Sequence, residues 1–144
     1  MKLNNNKKII LKHLRCDARK NFSSISREAH IPVTTVFDNY QKLRDSQVIT
    51  KHSSLLDFRK LGFYNRNFIF IKAKDKEALL AFLSNNSNVN SIFKISNYDF
   101  MAETICPTIK EFYAFLDELR SFNIQKLETH DIIEHVKQEE FFSN

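Results

Sequence analysis

The chain has 144 residues, a net charge of +5 at pH 7, two cysteines and a single glycine. This length allows one compact domain or two small ones, each with a real hydrophobic core. Two cysteines do not make a disulfide framework, and the longest clean apolar run, Phe68 to Ile71, is far too short to span a bilayer. We therefore expect a soluble, cytoplasmic protein with no membrane partner.

The positive charge is concentrated in the first part of the chain. Residues 1–62 carry 13 Lys and Arg against 5 Asp and Glu, a net of +8, whereas residues 63–144 carry 9 against 12, a net of −3. A basic half is what a phosphate-binding surface needs, because each neutralised phosphate releases counterions. The alternative is a basic face that is only solvated, which is the more common fate of a charge cluster.

Hydrophobic periodicity predicts three helices in the basic half. The first runs from about Asn6 to Arg15, and the second follows a polar connection and is capped by Ser23 or Ser24. The turn His30-Ile31-Pro32 ends the second helix, because a proline disfavours the helical conformation in the residue before it. The third helix runs from Val33 to Ser46.

The third helix has one apolar and one polar side. At about 100° per residue, the apolar side gathers Val33, Val36, Phe37, Tyr40 and Leu43. The polar side gathers Thr35, Asp38, Lys42 and Asp45, with Thr34 and Asn39 at its edges. A helix that presents small hydroxyl and amide side chains suits insertion into a DNA major groove. An ordinary amphipathic helix is the alternative.

The segment from Val48 to Leu56 predicts a small β-hairpin, or wing, with Lys51 and His52 at its tip. Such a tip either lies against a DNA backbone or is solvated. The only glycine and the change of charge both fall within Asp57–Phe63, so we place the domain boundary there. Residues 1–57 then form a winged helix-turn-helix domain, residues 58–65 a hinge and residues 66–144 a second domain.

The second domain has the order strand, helix, strand, strand, helix, strand. The predicted ranges are Arg66–Ala73, Asp75–Asn86, Val89–Ile95, Tyr98–Cys106, Thr108–Phe122 and Ile124–Val136. Thr108 followed by Glu111 forms a capping-box signature for the second of these helices. The order predicts a ferredoxin-like βαββαβ domain, so the fold class is α+β.

The first strand of that domain, Phe68-Ile69-Phe70-Ile71, is apolar on both faces. Both helices of a ferredoxin-like fold lie on one face of the sheet, so something else must cover the other face. A second copy of the same sheet is the simplest cover, and it predicts a two-fold dimer. Such a dimer would place two helix-turn-helix units on one DNA.

Several strings, in this order, resemble the Lrp/AsnC (feast/famine) family of transcription regulators across nearly the whole chain. Ile10-Leu11-x-x-Leu14-x-x-Asp17-Ala18-Arg19 resembles the first-helix signature, and Ile31–Ile49 the recognition helix with the start of its wing. Leu61-Gly62 resembles the hinge, Asn88-Val89 the entry to the second strand, and Lys94–Asp99 the effector loop. The resemblance implies a homodimer, assembled further into tetramers or octamers in many members. It also implies promoter DNA as partner and an amino-acid effector.

The candidate DNA-binding residues on this basis are Arg27, Thr34, Thr35, Asp38, Asn39, Lys42, Lys51 and His52. The candidate effector-binding residues are Asn97, Tyr98 and Asp99. Two departures from the family pattern matter. Asp38 and Asn39 stand where members usually carry a basic residue, and Ser96 replaces the usual glycine of the effector loop. Asn97 beside it can adopt the left-handed turn that a glycine would.

Two other functions compete with DNA binding. The first is an enzyme of the tetrapyrrole decarboxylase type, since some of these enzymes resemble Lrp proteins; His52, Arg59 and Arg66 are its only clustered candidates. The second is a dimerising sensor that has lost sequence-specific DNA binding. We expect no cofactor and no catalysis, because the sequence has no phosphate-binding glycine-rich loop and no recognisable nucleophile motif. We expect no shared metal, because His130 and His135 are five residues apart on a strand and so point to opposite faces.

Overall fold

The computed structural model describes residues 3–142 of the chain. The chain divides into two compact units: one ends at Leu55 and takes up the chain again from Val136, and the other comprises Leu56–His135. The sequence grouped the last segment with the second domain, whereas in the structure it packs with the first unit. Arg15 holds it there, donating to the carbonyl oxygens of Glu139 at 2.5 Å and Phe141 at 3.1 Å.

The first unit contains three helices: α1 (Asn5–Cys16), α2 (Phe22–Ala29) and α3 (Val33–Asp45). The cap of α2 is Asn21, not Ser23 or Ser24, because the Asn21 side chain accepts a hydrogen bond from the Ser24 N–H at 2.8 Å. The helix ends at His30, whose φ of 54° turns the chain before Pro32. These three predicted helices are therefore present, with ends within a few residues of those expected.

The core of this unit comes from all three helices and the turn between α2 and α3. Its buried members are Ile10, Leu14, Ile25, Ile31, Val36 and Leu43. Val36 and Leu43 are fully buried, so their side of α3 faces the other two helices. The core thus fixes which side of α3 is left for a partner.

Residues 48–56, where the sequence predicts a hairpin, form no paired strands. The N–H groups of Val48 and Ile49 both donate to the carbonyl oxygen of Leu43, at 3.0 and 3.1 Å. Since these bonds complete the end of α3, the two amides are not available for a cross-strand ladder. Leu55 and Leu56 are exposed, so no apolar contact closes the hairpin either, and the predicted strand pairing is wrong.

The second unit is a four-stranded antiparallel sheet with two helices. Its elements in order are β1 (Asn65–Ala73), α4 (Lys76–Asn85), β2 (Val89–Lys94), β3 (Phe100–Cys106), α5 (Ile109–Leu119), a short 3₁₀ helix (Arg120–Phe122) and β4 (Ile124–Asp131). The strands lie in the order β2-β3-β1-β4. This is the ferredoxin-like arrangement, so the predicted α+β fold class is confirmed.

Local signals account for the ends of several elements. Thr108 and Glu111 form the predicted capping box at the start of α5, with the Thr108 N–H donating to the Glu111 carboxylate at 2.8 Å. The effector-loop turn is also as predicted, because Asn97 has a left-handed φ of 69°. Gly62 has a φ of 89°, a conformation that favours glycine.

The hydrophobic core of the second unit lies on the helix side of the sheet. It contains Ile69 and Ile71 of β1 together with buried side chains of β3, α4 and α5. Phe68 and Phe70 alternate with them on the other face and are half-buried, and Phe93 of β2 is half exposed there. The sheet therefore has a second, partly apolar face, which we call the open face.

Candidate nucleic-acid interface

The buried side of α3 differs from the predicted one at one position that matters for DNA recognition. Asn39, expected at the edge of the polar side, is buried between the flanking core residues Val36 and Leu43. Its side-chain N–H donates to the carbonyl oxygen of Thr35, one turn earlier, at 2.8 Å. The predicted position of Asn39 on the presented side is therefore wrong, because the packed side of α3 includes it.

Two apolar residues of α3 are correspondingly displaced toward solvent. The sequence predicts Val33 and Phe37 in the core, but they are 45% and 47% exposed. Residues 36, 39 and 43 define the centre of the packed side, so at 100° per residue positions 33 and 37 fall at its margin. One edge of the Phe37 ring still touches the core, because it meets Phe22 at a centroid distance of 6.0 Å.

The fully exposed side of α3 carries polar side chains. Thr34, Asp38, Gln41 and Lys42 are exposed, and within residues 3–142 none of these side chains has a hydrogen bond or an ion pair. Thr35 is half-buried beside them. Gln41 is a candidate that the sequence argument missed. Its spacing could have identified it. Gln41 lies three residues after Asp38 and seven after Thr34, so all three share one side of the helix.

The basic candidates outside α3 differ in how far they are already engaged. Arg27 on α2 and Lys51 after α3 are exposed. The His52 ring stacks on Tyr40 with its Nε2 3.1 Å from the tyrosine hydroxyl, so its position is fixed from α3. A side chain that is held in this way is better suited to a defined contact than a freely rotating one.

Some basic residues of the unit are paired internally, among them Arg15 with Glu139 and Lys20 with Glu28. Lys20 donates to the Glu28 carboxylate at 2.5 Å, and this bond holds the pKa of Glu28 below its usual value. The pair joins the loop after α1 to α2. Lys20 is thus engaged in the unit itself, whereas Arg27, Lys42 and Lys51 have no such ion pair among the described residues.

The effector-loop candidates are held mainly by contacts within the sheet unit. Asp99 accepts from the Lys76 ammonium at 2.6 Å and from the Ala73 N–H at 3.0 Å. These bonds, led by that from Lys76, lower the pKa of Asp99. Asp99 therefore joins β1, β3 and the start of α4, whereas Asn97 at the turn remains exposed.

Tyr98 belongs to a second cluster, on the open face. Its ring packs on Phe70 at 5.6 Å, and the Lys126 ammonium lies 4.7 Å from the ring centroid. The Tyr98 hydroxyl, and after it Lys126, holds the pKa of Glu128 below its usual value. Tyr98 is consequently tied to β4 through both its ring and its hydroxyl.

The candidates for an enzymatic pocket each have a separate partner. Arg59 donates to the carbonyl oxygen of Ile133 at 2.9 Å, and Arg66 donates to the Glu103 carboxylate at 2.5 Å. His52 contacts Tyr40. These partnerships give the two arginines structural contacts in the sheet unit.

Residues 3–142 contain neither a candidate metal site nor a membrane-spanning helix. In that range no three His, Cys, Asp or Glu side chains are grouped so that they could hold a metal ion. The helices of the same range are all too short or too polar to cross a membrane.

Comparison with known proteins supplies the context for this geometry. No family model matches the chain. An uncharacterised HTH-type transcriptional regulator of Pyrococcus horikoshii is 24% identical over 134 residues, which are 90% of each chain. The structure of AsnC from E. coli superposes with a TM-score of 0.84 at 19% identity, covering 96% of this chain and 97% of that one. A transcriptional regulator of Neisseria meningitidis, solved as a complex with L-Met, gives 0.86 at 19%, covering 95% and 94%.

The chain therefore has a helix-turn-helix unit followed along the sequence by a ferredoxin-like unit, as AsnC has, and this is the fold that the sequence predicted. The predicted resemblance to the Lrp/AsnC family is confirmed, because the similar solved structures include AsnC-family proteins and the similar curated proteins are HTH-type transcriptional regulators.

Proposed function

We propose that this chain acts without catalysis, binding double-stranded promoter DNA as a homodimer and placing α3 in the major groove. The observation that carries the proposal is the row of exposed side chains on α3, Thr34, Asp38, Gln41 and Lys42, which have no partners among the described residues. The row lies on a helix-turn-helix unit in the basic part of a chain whose curated relatives are HTH-type regulators. Polar groups on a docked helix gain partners when base edges and phosphates are brought to them.

The proposed contacts divide by chemistry. Arg27, Lys42 and Lys51 meet phosphates as cations and His52 as an N–H donor, because such donors give affinity without sequence information. Thr34 and Thr35 offer hydroxyls to phosphate or to base edges. Asp38 repels phosphate and is useful only where it accepts from a cytosine amine. Asn39 supports α3 from the core side rather than touching DNA.

The DNA test is a titration of the purified protein with duplex DNA at several salt concentrations. We expect affinity to fall steeply with salt, and Lys42→Ala to weaken binding and lower the salt slope by about one. Lys110→Ala is the matched control, because Lys110 is an exposed lysine of the other unit. Affinity that is unchanged between low and moderate salt would contradict groove binding.

The proposed homodimer uses the open face. Phe68, Phe70 and Phe93 lie on that face, and the helices cover only the opposite one. A second copy of the sheet would remove this apolar area from water and satisfy both copies at once. Further assembly into tetramers or octamers is proposed from the resemblance alone.

The dimer is tested by sedimentation equilibrium at micromolar concentration. Phe93→Glu places a charge on the open face and is expected to shift the chain toward monomer. Tyr113→Glu is the control, because Tyr113 is a similarly exposed aromatic residue on α5, on the helix side of the sheet. Equal behaviour of the two variants would exclude the open face as the interface.

An amino-acid effector is proposed at the loop that carries Asn97, Tyr98 and Asp99. The support is the resemblance of this loop and the L-Met bound to the Neisseria meningitidis regulator. Calorimetric titration of the dimer with each L-amino acid tests it, and Tyr98→Ala should abolish any binding seen. Absence of heat with every amino acid would contradict sensing at this loop, while leaving the DNA proposal intact.

A further inference from the structure

Three exposed residues of α3 form a ridge that carries no charge. Val33, Phe37 and Gln41 are spaced four residues apart, so they follow one another along the helix surface. Val33 and Phe37 are about half exposed, and the Gln41 side chain is exposed without a partner among the described residues. We call these three residues the α3 ridge. Phosphate contacts do not explain the exposure of Val33 and Phe37, because these two side chains have no hydrogen-bond donor.

The Phe37 ring is supported from behind. Phe22 meets it edge-on at 6.0 Å, and Phe22 in turn packs on Tyr40 at 4.9 Å. A ring that packs on a second ring, which is itself held by a third, loses little conformational entropy when a ligand covers its exposed half. The exposed half of Phe37 is therefore a prepared apolar contact surface.

The chemistry of the ridge matches one kind of base pair. In the major groove, a glutamine amide pairs with adenine by donating to N7 and accepting from the N6 amine. The thymine C5-methyl is the apolar group that the major groove displays, and phenylalanine and other apolar side chains contact it. A G·C pair offers no methyl group and favours arginine or lysine, which the ridge lacks.

The spacing is also suitable. Phe37 and Gln41 are separated by four residues, a rise of about 6 Å along the helix. Successive bases of one strand are about 3.4 Å apart, so the two side chains reach positions one or two steps from each other. A single turn of α3 can thus contact an adenine and a nearby thymine together.

We propose that the α3 ridge recognises A·T base pairs in the major groove, with Gln41 hydrogen-bonded to an adenine and Phe37, flanked by Val33, packed on a thymine methyl group. This inference rests on the proposed DNA binding and adds the base preference to it. Charged residues on the remaining exposed side, such as Lys42, supply affinity without this preference.

The test uses the site enriched by selection from random duplexes, remade with altered bases. Replacing thymine by uracil removes only the methyl group, and we expect about a fourfold loss of wild-type affinity at the contacted position. Replacing adenine by 7-deazaadenine removes the N7 acceptor, and we expect about a tenfold loss at the Gln41 position. Both losses are measured on the wild-type protein, so they do not depend on the folding of any variant.

Two variants show which residue is responsible for each loss of DNA affinity. Gln41→Ala should weaken binding about tenfold on unmodified DNA and become insensitive to 7-deazaadenine, while Phe37→Ala should become insensitive to uracil. If Phe37→Ala unfolds, Phe37→Ser and Phe37→Leu are compared by the same measurement. Gln125→Ala and Tyr113→Ala are the matched controls, because both residues are exposed in the other unit.

The possible results distinguish a failure of this inference from a failure of the proposed DNA binding. No salt-dependent binding to any duplex would defeat the proposed DNA binding itself. The role of the ridge would be overturned if the selected site tolerated both base analogues at every position, or if it contained only G·C pairs. Either result would leave the proposed DNA binding intact. An apolar ridge that serves a protein partner instead would give one of these two results.

Discussion

The two units of the chain use their polar side chains in opposite ways. In the helix-turn-helix unit, Thr34, Asp38, Gln41 and Lys42 point outward and have no partners among the described residues. In the sheet unit, several charged side chains are instead bonded to one another. Arg66 with Glu103 and Asp99 with Lys76 are examples.

This difference bears on where a partner can bind. A polar group that is already bonded must give up that bond before it can bind a ligand, whereas a solvated one exchanges only water. The exposed side chains of α3 can therefore bind an external partner without losing a bond within the protein. The paired side chains of the sheet unit instead stabilise its fold. In the sheet unit the surface left for another molecule is chiefly the apolar part of the open face.

Removing the charge of Glu103 is expected to have the largest effect. Its side chain is only 8% exposed and that of Arg66 14%, and Asn90 donates to the second carboxylate oxygen at 2.6 Å. Glu103→Gln leaves Arg66 largely buried without its counter-charge, so we expect a loss of about 3 kcal/mol in the free energy of unfolding. Urea denaturation measures it.

The matched change in the other unit is Glu28→Gln, which breaks the ion pair with Lys20 at the surface. We expect its urea midpoint to stay close to that of the wild type, because exposed ion pairs contribute little. Replacing Arg66 and Glu103 together by methionine should cost less than Glu103→Gln alone. Equal effects of Glu28→Gln and Glu103→Gln would remove the contrast between the two units.

The ion pair of Asp99 with Lys76 makes the stability of the sheet unit depend on pH. The pKa of Asp99 lies below the ordinary value of 3.8, chiefly because Lys76 donates to its carboxylate. A lowered folded-state pKa gives stability that is fully present above the unfolded-state pKa and is lost as the pH falls through the folded-state value. Asp99→Asn should therefore cost about 1 kcal/mol at pH 7, and the difference from wild type should shrink below about pH 4.

Thermal unfolding of both proteins between pH 7 and pH 3 tests this expectation. Asp117→Asn is the control, because Asp117 is an exposed residue of α5. Asp75→Asn is less suitable, because the Asp75 side chain caps α4. A gap between wild type and Asp99→Asn that stays constant down to pH 3 would show that the Asp99 charge does not stabilise the fold.

The features predicted well from the sequence depend on residues that are close together in the chain. The capping box of Thr108 and Glu111 spans three residues, and the left-handed turn at Asn97 depends on one. The two-faced apolar pattern of β1 follows from strict alternation along a single strand. Local chemistry was sufficient for each of these, and together they fixed the order of the ferredoxin-like unit.

The features predicted wrongly depend on packing between distant residues. The periodicity of α3 shows that one side is buried, but α1 and α2 decide whether its centre lies nearer Phe37 or Asn39. The missing hairpin and the placement of the last segment have the same origin. Arg15 and Glu139 lie 124 residues apart, and no local signal predicts their contact.

Effects similar in size to that of Asp99→Asn are expected at two helix caps, one in each unit. The side chain of Asn21 caps α2 and that of Thr108 caps α5. Either residue changed to alanine should lower the free energy of unfolding by about 1 kcal/mol, because one N–H of the first turn loses its acceptor. Only Asn21→Ala should also weaken DNA binding, since α2 carries the Phe22 ring that supports Phe37. Binding measured at a temperature where both variants are folded tests this, and an equal loss of affinity in the two would mean that the α3 ridge does not depend on α2.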